Sequence, residues 1–211
     1  MAHLDLEEQE QLAQLKSWWD TYGNLVVMTI ALAAVVFSAW QGWRFWQERQ
    51  AGEASNLYEV LGKSLQGTEP KAVRDASGEL LEKYPGTLYA SMGALTAAKY
   101  FFDKGDLKTA KAQLQWVIDK TASEEFRDVA RLRLANVLLD EKGYDEALKL
   151  VDAKHGEPFD AQYAALKGDV FVARGQVADA KSAYKAALEK ADKKSSALRD
   201  SVQMRLDALG G

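Results

Sequence analysis

The chain has 211 residues, of which 47% are hydrophobic and 27% are charged, so its composition excludes a disordered chain and allows one large domain or a smaller one with an appendage. It contains no cysteine and two histidines, which excludes disulfides and thiolate metal sites and leaves too few imidazoles for a histidine-based metal site or triad. Three prolines and abundant Ala, Leu, Glu and Lys favour an all-α fold.

The net charge of -4 arises at the N-terminus. Residues 1–43 hold one lysine and five acidic residues, whereas residues 44–211 hold 26 basic and 26 acidic groups. This larger part lacks the positive field that nucleic-acid binding needs, so nucleic acid is not expected as a partner. Residues 1–20 are predicted to form an acidic tail. Its leucines at 4, 12 and 15 fit a short amphipathic helix, although such tails are more often simply solvated.

Residues 21–43 are predicted to form a single transmembrane helix. No charged residue occurs between Asp20 and Arg44, and a helix from Tyr22 to Trp40 would rise about 27 Å, close to the ~30 Å thickness of the hydrocarbon layer. Tryptophans flank this stretch on both sides, as in an aromatic belt: Trp18, Trp19, Trp40, Trp43 and Trp46. A buried soluble helix does not explain both groups, and a long acidic start argues against a cleaved signal peptide. We therefore expect an uncleaved anchor.

The charges beside the span leave its orientation open. Lys16 precedes the span, whereas Arg44, Arg49 and Lys63 follow it. The positive-inside rule alone would therefore place the large domain in the cytoplasm. That rule weakens for long translocated domains, so the opposite orientation also stays open.

Residues 44–211 are predicted to form a helical-hairpin solenoid, because one helical pattern recurs along them. Ala110, Ala147 and Ala180 mark three copies, separated by 37 and then 33 residues. Hairpins are expected near 54–84, 90–120, 127–155 and 160–190, followed by a capping helix at 195–209. Ala98, Ala135 and Gly168 are expected where the two helices of a hairpin approach closely.

Helix ends can also be predicted within these hairpins. Gly105, Gly143 and Gly175 are expected to end the first helix of each copy in the left-handed conformation, with a turn one residue shorter in the middle copy. Ser123 is the predicted N-cap of a helix that begins between two copies. The break between the first two helices is expected at Gly67-Thr68-Glu69-Pro70.

The spacing is similar to the tetratricopeptide repeat, in a degenerate form. The large aromatic residue near the start of the first helix is replaced by Ala94, Arg131 or Ala164, and the closing proline is missing. Repeats of this type present a concave surface to an extended peptide. The candidate peptide-binding residues on this surface are Leu95, Lys99, Phe102, Asn136, Asp169 and Val172. Leu132 and Leu139 share this register, but packing against neighbouring helices explains them equally well.

The sequence contains no glycine-rich nucleotide loop, zinc pattern or calcium loop. No catalytic residue, metal ligand or cofactor is therefore predicted. His155 lies in a segment with glycine and proline that is predicted to be a turn between repeats.

The order of these parts resembles that of a known family. An acidic tail, one span and the aromatic edge from Trp43 to Trp46 precede Tyr84–Ala90 (YPGTLYA) and then Ala97-Ala98-Lys99. In this the chain resembles the YfgM-like ancillary subunits of the SecYEG translocon of Gram-negative bacteria. The resemblance implies a single-pass inner-membrane protein with its N-terminus in the cytoplasm and its repeats in the periplasm. It also implies four partners: the SecYEG translocon, a PpiD-like periplasmic chaperone, exported polypeptides and, through the tail, a response regulator.

We therefore expect a non-enzymatic, membrane-anchored repeat protein that binds polypeptides at the exit of the translocon. The main alternative is a membrane-tethered scaffold for envelope assembly or stress regulation that binds no client. An enzyme is the third interpretation, and the sequence offers no constellation of titratable residues for it.

Overall fold

A computed structural model describes residues 6–67, 69–192 and 195–210, without the side chains of residues 6–8. Two residues of the predicted tail, His3 and Leu4, and Thr68 of the predicted first break lie outside the described residues. Within the described ranges the chain is all-α, as predicted, with a short 3-10 turn at Glu157–Phe159 and no strand. The helices are α1 (Leu6–Leu65), α2 (Pro70–Lys83), α3 (Leu88–Asp103), α4 (Leu107–Lys120), α5 (Glu124–Asp140), α6 (Tyr144–Val151), α7 (Asp160–Ala173), α8 (Val177–Lys190) and α9 (Ser196–Ala208).

The chain divides into two compact units after Gln50. The described part of the first unit is the segment of α1 that ends at Gln50. Its apolar side chains are exposed, and among the described residues this is the one helix long and apolar enough to cross a membrane. The Thr29 hydroxyl donates to the carbonyl of Leu25 at 2.8 Å, so this polar group is satisfied within the helix. The segment therefore fits a single-pass membrane anchor.

Helical hairpins form the second unit. α3 packs on α4, α5 on α6 and α7 on α8, and each hairpin also contacts the next. At its N-terminal end, Leu61 of α1 and Val73 of α2 are buried with Phe101 of α3. Complete burial of such a side chain contributes about 1.5–3 kcal/mol. The core is thus shared between successive hairpins, and an isolated hairpin would leave an apolar face uncovered.

Small residues occupy the close helix contacts, as predicted. Ala98, Ala135 and Gly168 are all buried on the first helix of their hairpins. At Gly168 even a methyl group would overlap the ring of Tyr184 on α8. The glycine is therefore required by packing, because the backbone of α7 lies directly against this ring.

The glycine prediction for the helix ends is right at two turns and wrong at the third. Gly105 and Gly175 have φ of 77° and 74°, in the left-handed region. In the middle hairpin Lys142 takes this conformation with φ of 64°, whereas Gly143 has φ of -79° and is the N-cap of α6. The turn is also not shorter, because Lys142 lies 37 residues after Gly105, as Ala147 does after Ala110. In the middle hairpin the glycine thus follows the left-handed residue by one position, and the turn has the same geometry as the other two.

Other predicted helix ends are confirmed. The Ser123 hydroxyl accepts a hydrogen bond from the backbone N–H of Phe126 at 3.2 Å, which caps α5. At the C-terminal end, Val202 and Leu206 of α9 are buried with Tyr184 and Ala187 of α8. α9 therefore covers the apolar face that the last hairpin would otherwise expose.

Candidate binding groove

A groove runs between α3 and α5 and has two halves. The first half, here called the Tyr58 pocket, has a volume of about 250 Å³, and the second, the Phe102 pocket, has about 270 Å³. Lys99 of α3 and Arg133 of α5 line both pockets. The remaining side chains of the Tyr58 pocket are Tyr58, Met92, Leu95, Thr96 and Phe126, and those of the Phe102 pocket are Ala98, Phe102, Asp103, Leu114, Asn136 and Val137.

Helical periodicity explains why α3 supplies so much of this groove. Met92, Leu95, Thr96, Lys99 and Phe102 follow one another at intervals of one or three residues along one face of the helix. Leu95 is 7% exposed and joins the core, whereas Phe102 is 39% exposed. The groove therefore has a packed floor and an apolar edge that is open to a ligand.

The charged groups of the groove are weakly engaged. The Lys99 ammonium lies 2.9 Å from a carboxylate oxygen of Asp103, but both side chains are mostly exposed, and such pairs contribute only about 0.3–0.5 kcal/mol. Arg133 donates one hydrogen bond through Nη1, to the carbonyl of Leu95 at 3.2 Å. Asn136 donates through its side-chain amide to the carbonyl of Leu132 at 2.9 Å. Two cations thus lie between apolar walls with capacity for further hydrogen bonds.

The structure brings together four of the six residues that the sequence selected. Leu95, Lys99, Phe102 and Asn136 line the groove. Asp169 and Val172 lie outside it, further along the repeats. Their role in peptide binding stays a prediction.

Asp169 has a set of partners of its own. Its carboxylate accepts hydrogen bonds from the Tyr184 hydroxyl at 2.7 Å and from the Arg205 guanidinium at 2.7 Å. Burial, followed by the bond to Asp169, raises the pKa of the Tyr184 hydroxyl well above its usual value. Asp169 therefore joins α7 to α8 and to the capping helix α9.

Several groove residues were not predicted from the sequence. Arg133 could have been found, because it precedes Asn136 by three residues and so shares its helix face. Tyr58 carried no such signal, since it comes from the end of α1, outside the clear repeats. Leu132 and Leu139 are half-buried and pack beside Val151 and Tyr163, as the packing alternative expected.

A second polar cluster holds the connection between α6 and α7. Asp128 of α5 is 2% exposed and accepts hydrogen bonds from the Gly156 N–H at 2.9 Å and the Tyr163 hydroxyl at 3.1 Å. The ring of His155 stacks on that of Tyr163 with centroids 3.9 Å apart, and its Nε2 lies 3.1 Å from Asp160. A hydrogen bond from Lys190 is the main cause that lowers the pKa of Asp160. These contacts fix the loop around His155, which the sequence predicts to be a turn between repeats.

The arrangement is suited to binding. In residues 6–67, 69–192 and 195–210, no three His, Asp or Glu side chains are grouped as metal ligands. The groove instead offers apolar surface, an amide and two cations, which are groups that recognise a polypeptide segment. The fold and groove together define a tetratricopeptide-like repeat protein with a membrane anchor.

Comparison with known proteins agrees with this class. A family model described as a tetratricopeptide repeat-like domain matches residues 16–211. The chain is 32% identical to the ancillary SecYEG translocon subunit of Neisseria gonorrhoeae, over 97% of this chain and 98% of the relative. It is 31% identical to the protein of the same name from Haemophilus influenzae, over 86% and 89%, and 30% identical to that of Escherichia coli, over 96% of each. The chain belongs to the family of ancillary SecYEG translocon subunits, and the resemblance found in its sequence is confirmed.

Proposed function

We propose that this chain is a non-enzymatic subunit that accompanies the SecYEG translocon. In this proposal α1 anchors it in the inner membrane with the N-terminus in the cytoplasm, and the repeats lie in the periplasm. There the groove between α3 and α5 contacts newly exported polypeptides in a chaperone-like manner. The names of the relatives support the association with the translocon.

The observation that carries the client-binding part is the open apolar groove. Phe102 is exposed at its edge, and Tyr58 and Phe126, which are half-buried and pack against the core, also line it. An emerging chain is extended and presents apolar side chains that have not yet found a folded core. A shallow groove with apolar walls can shield such a segment and release it again.

Two further partners belong to the proposal because the family resemblance implies them. One is a PpiD-like periplasmic chaperone that would act beside the repeats. The other is a response regulator that would contact the acidic tail, residues 1–20. Neither contact is needed for the groove to bind a client.

Site-specific photo-crosslinking tests client binding. A photoreactive residue is placed at Phe102 and, as a matched control, at Met204 of α9, which is 72% exposed and lies outside the groove. An exported chain is then arrested in the translocon. We expect a crosslink to the arrested chain from position 102 and none from position 204. Crosslinks to one stable partner, without any to the exported chain, would instead support the scaffold alternative.

Protease accessibility tests the orientation separately. A tag after Gly211 should be digested in intact spheroplasts if the repeats are periplasmic. Protection of the tag until the cells are lysed would place the repeats in the cytoplasm and overturn the proposed contact with exported chains.

A further inference from the structure

Along the groove, apolar side chains are followed by two cationic side chains and then by apolar side chains again. Met92, Leu95 and Phe126 stand at one end, and Phe102 stands at the other. Lys99 and Arg133 lie between them, because they are the two residues that line both pockets. A ligand that fills both pockets must therefore pass over these two cations.

Arg133 is the better placed of the two to bind a carboxylate. Its guanidinium carries five N–H donors, of which Nη1 supplies one hydrogen bond to Leu95. In the described ranges of the chain, no carboxylate lies within ion-pairing distance of Arg133. A planar guanidinium with spare donors is suited to a carboxylate, which it can bind through two parallel hydrogen bonds.

Lys99 strengthens this preference. Its contact with Asp103 is an exposed pair on one helix, and such pairs are easily rearranged. The lining of the two pockets holds Lys99 and Arg133 against the single carboxylate of Asp103. The centre of the groove therefore carries an excess positive charge, which is complementary to an acidic side chain.

We propose that the groove prefers extended segments in which an acidic side chain stands between two large apolar side chains. The apolar side chains enter the Tyr58 and Phe102 pockets, and the carboxylate binds Arg133 and Lys99. Leu95 and Phe102 are separated by about 10 Å along the axis of α3, which about three extended residues span. The apolar side chains are thus two to four residues apart. This inference rests on the proposed function, since it specifies which segments the groove receives.

Matched peptides test the preference on the full chain in phosphatidylcholine nanodiscs. Three labelled peptides carry Leu and Phe on either side of a central Glu, Gln or Lys, and their binding is followed by fluorescence anisotropy. We expect the Glu peptide to bind about fivefold more tightly than the Gln peptide, as for a partly exposed charge-assisted hydrogen bond, and the Lys peptide to bind most weakly. Added salt should reduce the advantage of the Glu peptide.

Arg133→Gln is the decisive variant. It should remove the preference for Glu, so that the Glu and Gln peptides bind the variant with equal affinity. Arg174→Gln is the control, because Arg174 is the C-cap residue after α7, pairs with Asp145 and lines neither pocket. Circular dichroism of both variants verifies that the helices remain.

The other outcomes separate this inference from the proposed function. Equal binding of the three peptides would overturn the acidic preference and leave the groove as a client site. A preference for Glu that survives in Arg133→Gln and in the double variant with Lys99→Gln would overturn the assigned carboxylate site. The absence of binding by all three peptides would overturn both the inference and the groove as a client site.

Discussion

The N-terminal and C-terminal halves of the repeat domain use equivalent positions differently. Lys99 and Asp169 are separated by the 70-residue repeat offset, as are Phe102 and Val172. On α3, Lys99 and Phe102 line an open groove. On α7, Asp169 is bound by side chains of α8 and α9. A repeat therefore fixes where a residue lies on its helix, whereas its neighbours decide whether it lines an open groove or attaches a cap.

The packing under these positions differs in the same way. Leu114 of α4 corresponds to Tyr184 of α8, and Ala98 corresponds to Gly168. The larger Tyr184 needs a smaller partner, and its hydroxyl reaches Asp169. In the C-terminal half, Tyr184 therefore links α7, α8 and α9, whereas the corresponding part of the N-terminal half is an open surface.

Gly168→Ala should change the free energy of unfolding more than any of the substitutions below. The added methyl group would meet the ring of Tyr184, and overpacking of this kind costs about 2 kcal/mol of unfolding free energy. Gly78→Ala in α2 is the matched control, because a methyl group there meets nothing within 4 Å. The control should stabilise the domain by about 0.5–1 kcal/mol. Urea unfolding followed by circular dichroism measures both, and equal effects would contradict the close-contact argument.

Asp169→Ala should destabilise the C-terminal half by about 1–2 kcal/mol, because Tyr184 and Arg205 lose their shared acceptor. Hydrogen exchange should accelerate in α9 before it does so in α3. The equivalent change in the other half, Lys99→Ala, should alter stability by less than about 0.5 kcal/mol. If both changes had the same small effect, the Asp169 carboxylate would not hold α9 against α7.

Lys142→Gly should stabilise the middle hairpin by up to about 1 kcal/mol. Lys142 has a positive φ, which costs a side-chain-bearing residue more than glycine. Gly105→Ala makes the reverse change at the equivalent turn and should destabilise it. Thermal unfolding of the two variants gives the comparison, and a destabilised Lys142→Gly would contradict the assigned turn geometry.

Asp106→Ala should have an effect on stability that depends on pH. Hydrogen bonds from the Thr109 hydroxyl and N–H, with the nearby Arg74, lower the pKa of Asp106 in the folded chain. A lowered carboxyl pKa stabilises the fold above the unfolded-state pKa, and this stabilisation is lost as the pH falls through the folded-state value. The difference between wild type and variant should therefore be present at neutral pH and shrink in acid. A difference that does not change with pH would rule out this carboxylate as its source.

The sequence predicts most of the fold because its strongest signals are local and periodic. A charge-free apolar stretch with tryptophans at both ends indicates the anchor, and recurring small residues such as Ala110 indicate the hairpins. The middle turn was predicted wrongly because Gly143 was assigned the conformation that its neighbour Lys142 adopts. Gly105 precedes Ala110 by five residues, and the same spacing counted back from Ala147 indicates Lys142.

The candidate site could be predicted less fully, because it depends on contacts between distant segments. Lys99, Phe102 and Asn136 follow from the repeat register, whereas Tyr58 reaches the groove from α1. The attachment of Asp169 depends on Arg205, which belongs to a helix outside the repeats. The repeat pattern alone predicts neither of these contacts.

Hydrogen exchange of the full chain in nanodiscs, with and without the Glu peptide, shows which half of the repeat domain receives a ligand. We expect the bound peptide to slow exchange in α3 and α5, where the groove lies, and to leave α7 to α9 unchanged. Slower exchange confined to α7 to α9 would show that the C-terminal half receives the ligand, and would contradict the distinction between an open half and a capped half.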